Sequence, residues 1–274
     1  MSLTRRQKWR IEKVQSERIA RANKATIDTE KNIADEEMSQ KGLVITRYGH
    51  RQLVESSTGE LFQCTGRQNL GLSVAGDEVI FHPVGGTEGI VTAILPRGNE
   101  LTQKNKLIAT NIDQLWLVVA TEPHYQFELI DRYPILAENS NLPINIIVNK
   151  IELVNESGQL SKDFSLYQDI NYEVHFISIK KQLNLESLQD QLVDKTNIFL
   201  GQSGVGKSSL INTLIPDLEL RVNEISSKSK RGKHTTTNTT IYHIPSGGDL
   251  IDSPGIREFQ LDDFDAKQIL NGFR

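Results

Sequence analysis

Cysteine occurs once in the 274 residues, at Cys64, and that scarcity removes two chemistries together. No internal disulfide can form and no cluster of thiolates can hold zinc, which fits a chain kept in a reducing cytoplasm. Cys64 itself reads as a small buried residue. Long apolar runs are also missing. No stretch approaches the roughly 20 apolar residues of a membrane span, and no charged, apolar, small-residue leader opens the chain. Both absences point to a soluble chain with no membrane partner, and nothing in the sequence demands more than a monomer.

A strong net charge is absent too, but the formal −4 hides an asymmetry. Residues 1–24 hold eight basic side chains (Arg5, Arg6, Lys8, Arg10, Lys13, Arg18, Arg21, Lys24) against Glu12 and Glu17, so this arm carries +6 and the rest −10. A basic extension on an acidic body suits nucleic acid, held through counterion release rather than base readout. A solvated tail without a partner is the competing reading. Residues 1–41 lack apolar periodicity beyond Trp9, Val14 and Ile19, turn acidic at Asp35, Glu36 and Glu37, and are expected to be disordered.

From Gly42 the texture changes to short β-rich runs cut by turn residues: GLVITRYG, HRQLVESSTGE, LFQCTGR, DEVIFHPV and GIVTAILPR. Five strands in so short a span describe a small barrel over residues 42–104, with an OB-fold favoured over an SH3-like barrel. Arg47, Tyr48, His50, Arg51, Arg67 and Arg97 give it basic and aromatic surface candidates. After the polar link 102–106, strands and helices alternate over residues 105–274. Strands are expected at LWLVVAT, PINIIVNK, VHFISIK, TNIFL, TIYHI and DLIDSPG, and helices around 126–138, 162–170, 185–192 and 208–214. Continuous apolar strands separated by helices imply a parallel sheet covered on both faces. Pro134 falls inside the first helix and is expected to kink it.

Within TNIFLGQSGVGKSSLI, Gly201, Gly206, Lys207 and Ser208 match G-x-x-x-x-G-K-[ST], the phosphate-binding loop, between an apolar strand and a helix start. Backbone N–H groups wrapped round a polyphosphate tolerate no side chain at the close approaches, hence Gly201, Gly204 and Gly206. Gln202, Ser203, Val205 and Ser209 complete the loop that would bind the nucleotide. Lys207 offers a point charge to the terminal phosphates, a role in catalysis as well as binding. Ser208 is placed to give its hydroxyl to Mg²⁺, and the helix aims its positive end at the same phosphates. Further on, LIDSPG carries D-x-x-G, with Asp252 for the Mg²⁺ shell and the Gly255 amide for the γ-phosphate. Between them, KSKRGKHTTTNTT has the polarity of a loop ordered by the γ-phosphate, and one of Thr235, Thr236 and Thr237 would be the second hydroxyl ligand of Mg²⁺, with Thr236 or Thr237 favoured. In IIVNKIE, Asn149, Lys150 and Glu152 resemble the N-K-x-D guanine signature. A carboxylate there can accept from guanine N1–H and N2–H₂, whereas adenine lacks the N1–H. Glutamate stands where aspartate is expected, one methylene longer. Ser178, Ile179 and Lys180 then resemble the loop that backs the base.

The order of these pieces is informative: base motif, backing loop, phosphate loop, magnesium threonine, D-x-x-G. Ras-like GTPases begin with the phosphate loop, so this chain reads as a circular permutation, which compact domains with neighbouring termini tolerate. A barrel followed by N-K-x-[DE], GQSGVGKSSL, GKHTTT and IDSPGIREF resembles the bacterial circularly permuted GTPases that depend on the small ribosomal subunit. The resemblance implies hydrolysis of GTP to GDP with Mg²⁺, stimulated by the 30S subunit, binding to its 16S rRNA, and action late in the maturation of that subunit. It also implies a C-terminal zinc module of cysteines and a histidine. Arg274 is reached without those ligands, so the expectation is either a shortened chain or a variant with weaker ribosome docking.

In Ras-like enzymes a glutamine after D-x-x-G orients the attacking water, and here that position is Ile256. Slow intrinsic hydrolysis is expected, with His234 the candidate for positioning water and a solvated loop histidine the competing reading. Two other functions fit less of the pattern. One is a nucleotide-gated RNA-binding module in which hydrolysis is incidental, and the other an NTPase of different base preference acting on non-ribosomal RNA.

Overall fold

The computed structural model describes residues 39–67, 70–103, 106–154, 157–218 and 238–253, with Lys13, Ser16 and Glu17 besides. His234, Thr235, Thr236, Thr237, Gly255, Ile256 and nearly all of the 1–41 arm lie outside the described residues. The chain divides into two compact units between Gly98 and Asn99.

The first unit is a closed barrel of β1 (Gln40–Tyr48), β2 (Arg51–Ser56), β3 (Leu61–Gly66), β4 (Glu78–Gly85) and β5 (Glu88–Ile94). β1, β2 and β3 form an antiparallel meander, β5 runs parallel to β3, and β4 pairs with both β5 and β1. That closed Greek-key path is OB-like and sets aside the SH3-like alternative. Alternation along the strands turns Val44, Val54, Phe62, Cys64, Val79, Phe81 and Val91 into one core. Burial pushes the Cys64 thiol up to about 12, so it is an inert core residue, as its type suggests. Two of the basic surface candidates serve the barrel itself. Arg97 Nε lies 2.7 Å from Asp77 Oδ1, and Asp77 Oδ2 accepts the Val74 amide at 2.8 Å. Arg47 donates to the carbonyls of Gly49 and Ser73, both at 3.0 Å.

The second unit opens with an antiparallel hairpin, β6 (Glu100–Gln103) with β7 (Lys106–Thr110), where the sequence suggests only a polar link. Its strands are short and half polar, so their alternation is faint. The main sheet has the order β10-β9-β8-β11-β13-β12, with β8 (Gln114–Ala120), β9 (Ile144–Asn149), β10 (Val174–Phe176), β11 (Thr196–Leu200), β12 (Thr240–His243) and β13 (Asp249–Asp252). β8, β9, β10, β11 and β13 are parallel, and only β12 runs against its neighbour. β8 is buried along its whole length, the mark of a central strand covered on both faces.

The helices follow from spacing and from local breaks. The expected 126–138 helix is two pieces, α1 (Phe127–Ile130) and α2 (Arg132–Ser140). The break falls at Asp131, next to Ile130, whose carbonyl Pro134 cannot satisfy and crowds with its ring, so Pro134 interrupts the expected helix one turn before itself and sits in the first turn of α2, where its missing N–H costs no further bond. The expected 162–170 helix is α3 (Ser157–Asp163) and α4 (Ser165–Asp169), divided at Phe164. α5 (Leu185–Leu192) buries Leu185, Leu188 and Leu192, one stripe at helical spacing. α6 (Lys207–Leu214) starts from Gly206 and buries Leu210, Ile211 and Leu214.

Candidate functional site

In a parallel sheet, ligands bind beyond the carboxyl ends of the strands. The motif residues leave from those ends here: Asn149 ends β9, the Ser178 loop follows β10, Gly201 follows β11 and Asp252 ends β13. The opposite ends are tied off by side chains. Asn197 accepts from Gln114 Nε2 at 2.7 Å and Trp116 Nε1 at 3.0 Å, and donates to the carbonyls of Leu192, Lys195 and Asp249. That fully buried network pins β8, β11 and β13 in register, which fixes where their far ends point.

The phosphate loop is shaped by its neighbours before any ligand arrives. Gly201, Gly204 and Gly206 all have positive φ, at 134°, 83° and 102°. A Cβ on Gly201 would sit 2.1 Å from the Val118 carbonyl oxygen, and one on Gly206 would sit 2.3 Å from Asn149 Nδ2. The glycines are therefore required by the packing of the loop on β8 and on the base motif as well as by room for phosphate. Lys207 curls back over the loop, with Nζ 2.5 Å from the carbonyls of both Gly201 and Gln202. The backbone amides at the start of α6 have no intrahelical acceptor and can hold an anion.

Asn149 and Lys150 bind the loop from the other side. Asn149 Nδ2 donates to Val205 O at 2.9 Å, and Asn149 Oδ1 accepts from the Ile179 amide at 3.5 Å. Lys150 has a left-handed backbone, φ 64° and ψ 33°, and its Nζ donates to Glu122 O at 2.5 Å and Gly204 O at 2.8 Å. The chain then enters a 3₁₀ turn, Ile151–Leu153, which carries Glu152. Burial works to raise the Glu152 carboxyl. The hydrogen bond from Ser178, its own backbone amide and the ammonium groups of Lys180 and Lys150 outweigh that and hold it below its usual value. Glu152 Oε2 is buried and has no hydrogen-bond partner among the described residues. A solvent-shielded carboxylate oxygen without a donor is what a base presenting N–H groups would complete.

Ser178 is fully buried, bridges to Leu183 and accepts the Lys181 amide at 3.0 Å, so the backing loop is a tight turn that leaves Lys180 exposed and Ile179 half-buried beside Gly206. Asn149, Lys150, Glu152, Ser178, Ile179, Gly201, Gln202, Gly204, Val205, Gly206 and Lys207 are thus brought together in one continuous set of contacts. Ser203, Ser208 and Ser209 are exposed on the loop and first helical turn, and Asp252 ends the strand next to β11. Burial, followed by the charge of Asp252, pushes the Tyr242 hydroxyl up to about 12, so that ring stays neutral beside the carboxylate. Thr121 and Glu122, which the motifs do not point to, also belong here, because they hold Lys150. Their only signal in the sequence is their place at the carboxyl end of the LWLVVAT strand.

The comparisons with known proteins agree with this geometry. The profile described as RsgA GTPase matches residues 94–262. The chain belongs to that family. Among RsgA relatives, the small ribosomal subunit biogenesis GTPase RsgA of Hahella chejuensis is 40% identical over 284 residues, which is 99% of this chain and 82% of that protein. The one from Actinobacillus succinogenes is 41% identical over 286 residues, again 99% and 82%. In the crystal structure of YjeQ from Thermotoga maritima the similar fold has a TM-score of 0.70 at 29% identity and covers 86% of this chain and 81% of that one. YloQ, a circularly permuted GTPase, gives 0.68 at 25% identity, covering 89% and 80%. As an RsgA GTPase this chain is a GTP hydrolase with a permuted nucleotide-binding domain and an OB-like barrel before it.

Proposed function

We propose that this GTPase acts in biogenesis of the small ribosomal subunit, with hydrolysis stimulated by the 30S particle and with contacts to its 16S rRNA made by the barrel and the basic arm. The observation that carries the reading is the wiring of Asn149, Lys150 and Glu152 to the phosphate loop and to Ser178, which holds a guanine-reading carboxylate at a fixed offset from a phosphate cradle. The relatives' names, which speak of small ribosomal subunit biogenesis, support the assignment of the particle. The division of labour suggested by the sequence stands as part of this proposal, with a basic arm, then an RNA-binding barrel, then the GTPase domain. The protein works as a cytoplasmic monomer.

Within the site, Glu152 takes N1–H and N2–H₂ of guanine, Ile179 and Lys180 back the ring, and the amides of Gln202, Ser203, Val205, Gly206, Lys207, Ser208 and Ser209 take the phosphates. The donor set suits magnesium, since Ser208, Asp252 and Thr236 or Thr237 offer the hard oxygens that ion prefers. When bound, Mg²⁺ would neutralise charge building on the β- and γ-phosphate oxygens. Lys207 leaves the Gly201 and Gln202 carbonyls to meet the terminal phosphates, and the Gly255 amide meets the γ-phosphate. His234 positions the attacking water, because Ile256 cannot.

Turnover of GTP and of ATP, each with and without purified 30S subunits, tests this. The reading expects GTP turnover to rise at least tenfold with subunits and ATP turnover to stay at background. Binding without stimulated turnover would favour the nucleotide-gated RNA-binding reading, and equal use of ATP would refute guanine specificity.

A further inference from the structure

The base-reading loop turns on one carbonyl. The last register pair between β8 and β9 is Ala120 with Asn149. Thr121 extends the ladder by one bond, its amide donating to Asn149 O at 3.1 Å. The next residue of β9 then leaves the sheet, because Lys150 adopts a left-handed backbone that a side chain such as lysine rarely takes. Thr121 follows it with its side chain: Oγ1 donates to Lys150 O at 2.8 Å. The same carbonyl accepts the Leu153 amide at 3.0 Å, closing the 3₁₀ turn that carries Glu152. The Thr121 hydroxyl is therefore the link from the central strand of the sheet to the pivot of that turn. The Lys150 side chain makes the matching link to the phosphate loop through Gly204.

We infer that Thr121 is a positioning residue for guanine recognition: its hydroxyl clamps the Lys150 carbonyl and so sets the offset between the Glu152 carboxylate and the phosphate loop. Thr121 acts by holding strained backbone in one arrangement, and left-handed non-glycine residues persist only where their surroundings over-determine them. The inference rests on the reading that Glu152 takes the base N–H groups.

The test compares affinities of the full chain for guanosine diphosphate and inosine diphosphate, which shares N1–H but lacks the exocyclic amino group. Wild type, Thr121→Val, Thr121→Ser and Glu152→Ala are titrated in parallel. Valine keeps the shape of threonine and removes the donor, whereas serine keeps the donor. The expected result is a fall of about fivefold in the ratio of the two affinities for Thr121→Val, the size of one hydrogen bond's contribution, with the wild-type ratio restored in Thr121→Ser. General loss of stability would weaken both ligands alike and leave the ratio unmoved. A wild-type ratio in Thr121→Val, or a Thr121→Ser that behaves like valine, would overturn the assignment of Thr121. A wild-type ratio in Glu152→Ala would instead overturn the reading of Glu152, so the two failures are distinguishable.

Discussion

At the scale of single residues, Glu152 is the place where this chain departs from the expected aspartate, and its surroundings explain how the longer side chain is accommodated. The 3₁₀ turn carries it next to Ser178, and its Oε2 is buried without a donor. Burial works against the charge, but Ser178, the backbone amide and the ammonium groups of Lys180 and Lys150 hold its carboxyl below the usual carboxylate range, so the ionised form is the one the folded protein favours. A group whose folded pKa is depressed contributes above the unfolded value and loses that contribution as pH falls through the folded one. Preference for guanosine over adenosine diphosphate is therefore expected to be flat from pH 8 down to about 5, and to fail only below the ordinary carboxylate range. A titration of both diphosphates across that window checks it. A midpoint near neutrality would mean that some other group reads the base.

At the scale of elements, the phosphate loop and the strand beside it are a single packed object. Gly201 lies against the Val118 carbonyl, and any Cβ there must push the loop or β8 aside. Gly201→Ala is expected to weaken guanosine diphosphate binding more than tenfold and to lower unfolding stability by about 3 kcal/mol, the cost of combined backbone strain and overpacking. Calorimetric titration and thermal unfolding of the same sample measure both effects. A variant that bound poorly but unfolded like wild type would mean the glycine serves phosphate alone.

How far the elements could be read from the sequence depended on periodicity. α5 was legible to the residue because three leucines repeat at helical spacing, and β8 because its run is wholly apolar. The hairpin of β6 and β7 was not, since short strands with polar residues look like a link. Two expected helices are each broken in two, at Asp131, where Pro134 denies the Ile130 carbonyl its partner, and at Phe164, where no helix-breaking residue marks the spot. Motif residues were legible from chemistry. Thr121 was not, because its part depends on the backbone turn of Lys150 in another strand, which no local pattern encodes.

At the scale of the whole molecule, the unusual feature is that chain order and spatial order differ. The base motif precedes the phosphate loop by about fifty residues in sequence, yet Asn149 and Lys150 touch Val205 and Gly204 directly. Each closed contact spans a long loop, so the nucleotide-binding surface is assembled by the fold rather than by neighbouring sequence. Guanine specificity requires that Glu152 meet the base while the loop around Lys207 meets the phosphates. The most direct measurement is the affinity of wild type and Glu152→Gln for guanosine and xanthosine diphosphates. Glutamine offers one acceptor and one donor, matching the N1–H and C2 carbonyl of xanthine instead of the two donors of guanine. The account predicts that Glu152→Gln loses guanosine diphosphate by about a hundredfold and gains xanthosine diphosphate, the cost of two mispaired polar contacts. Unchanged affinity for both ligands would contradict it.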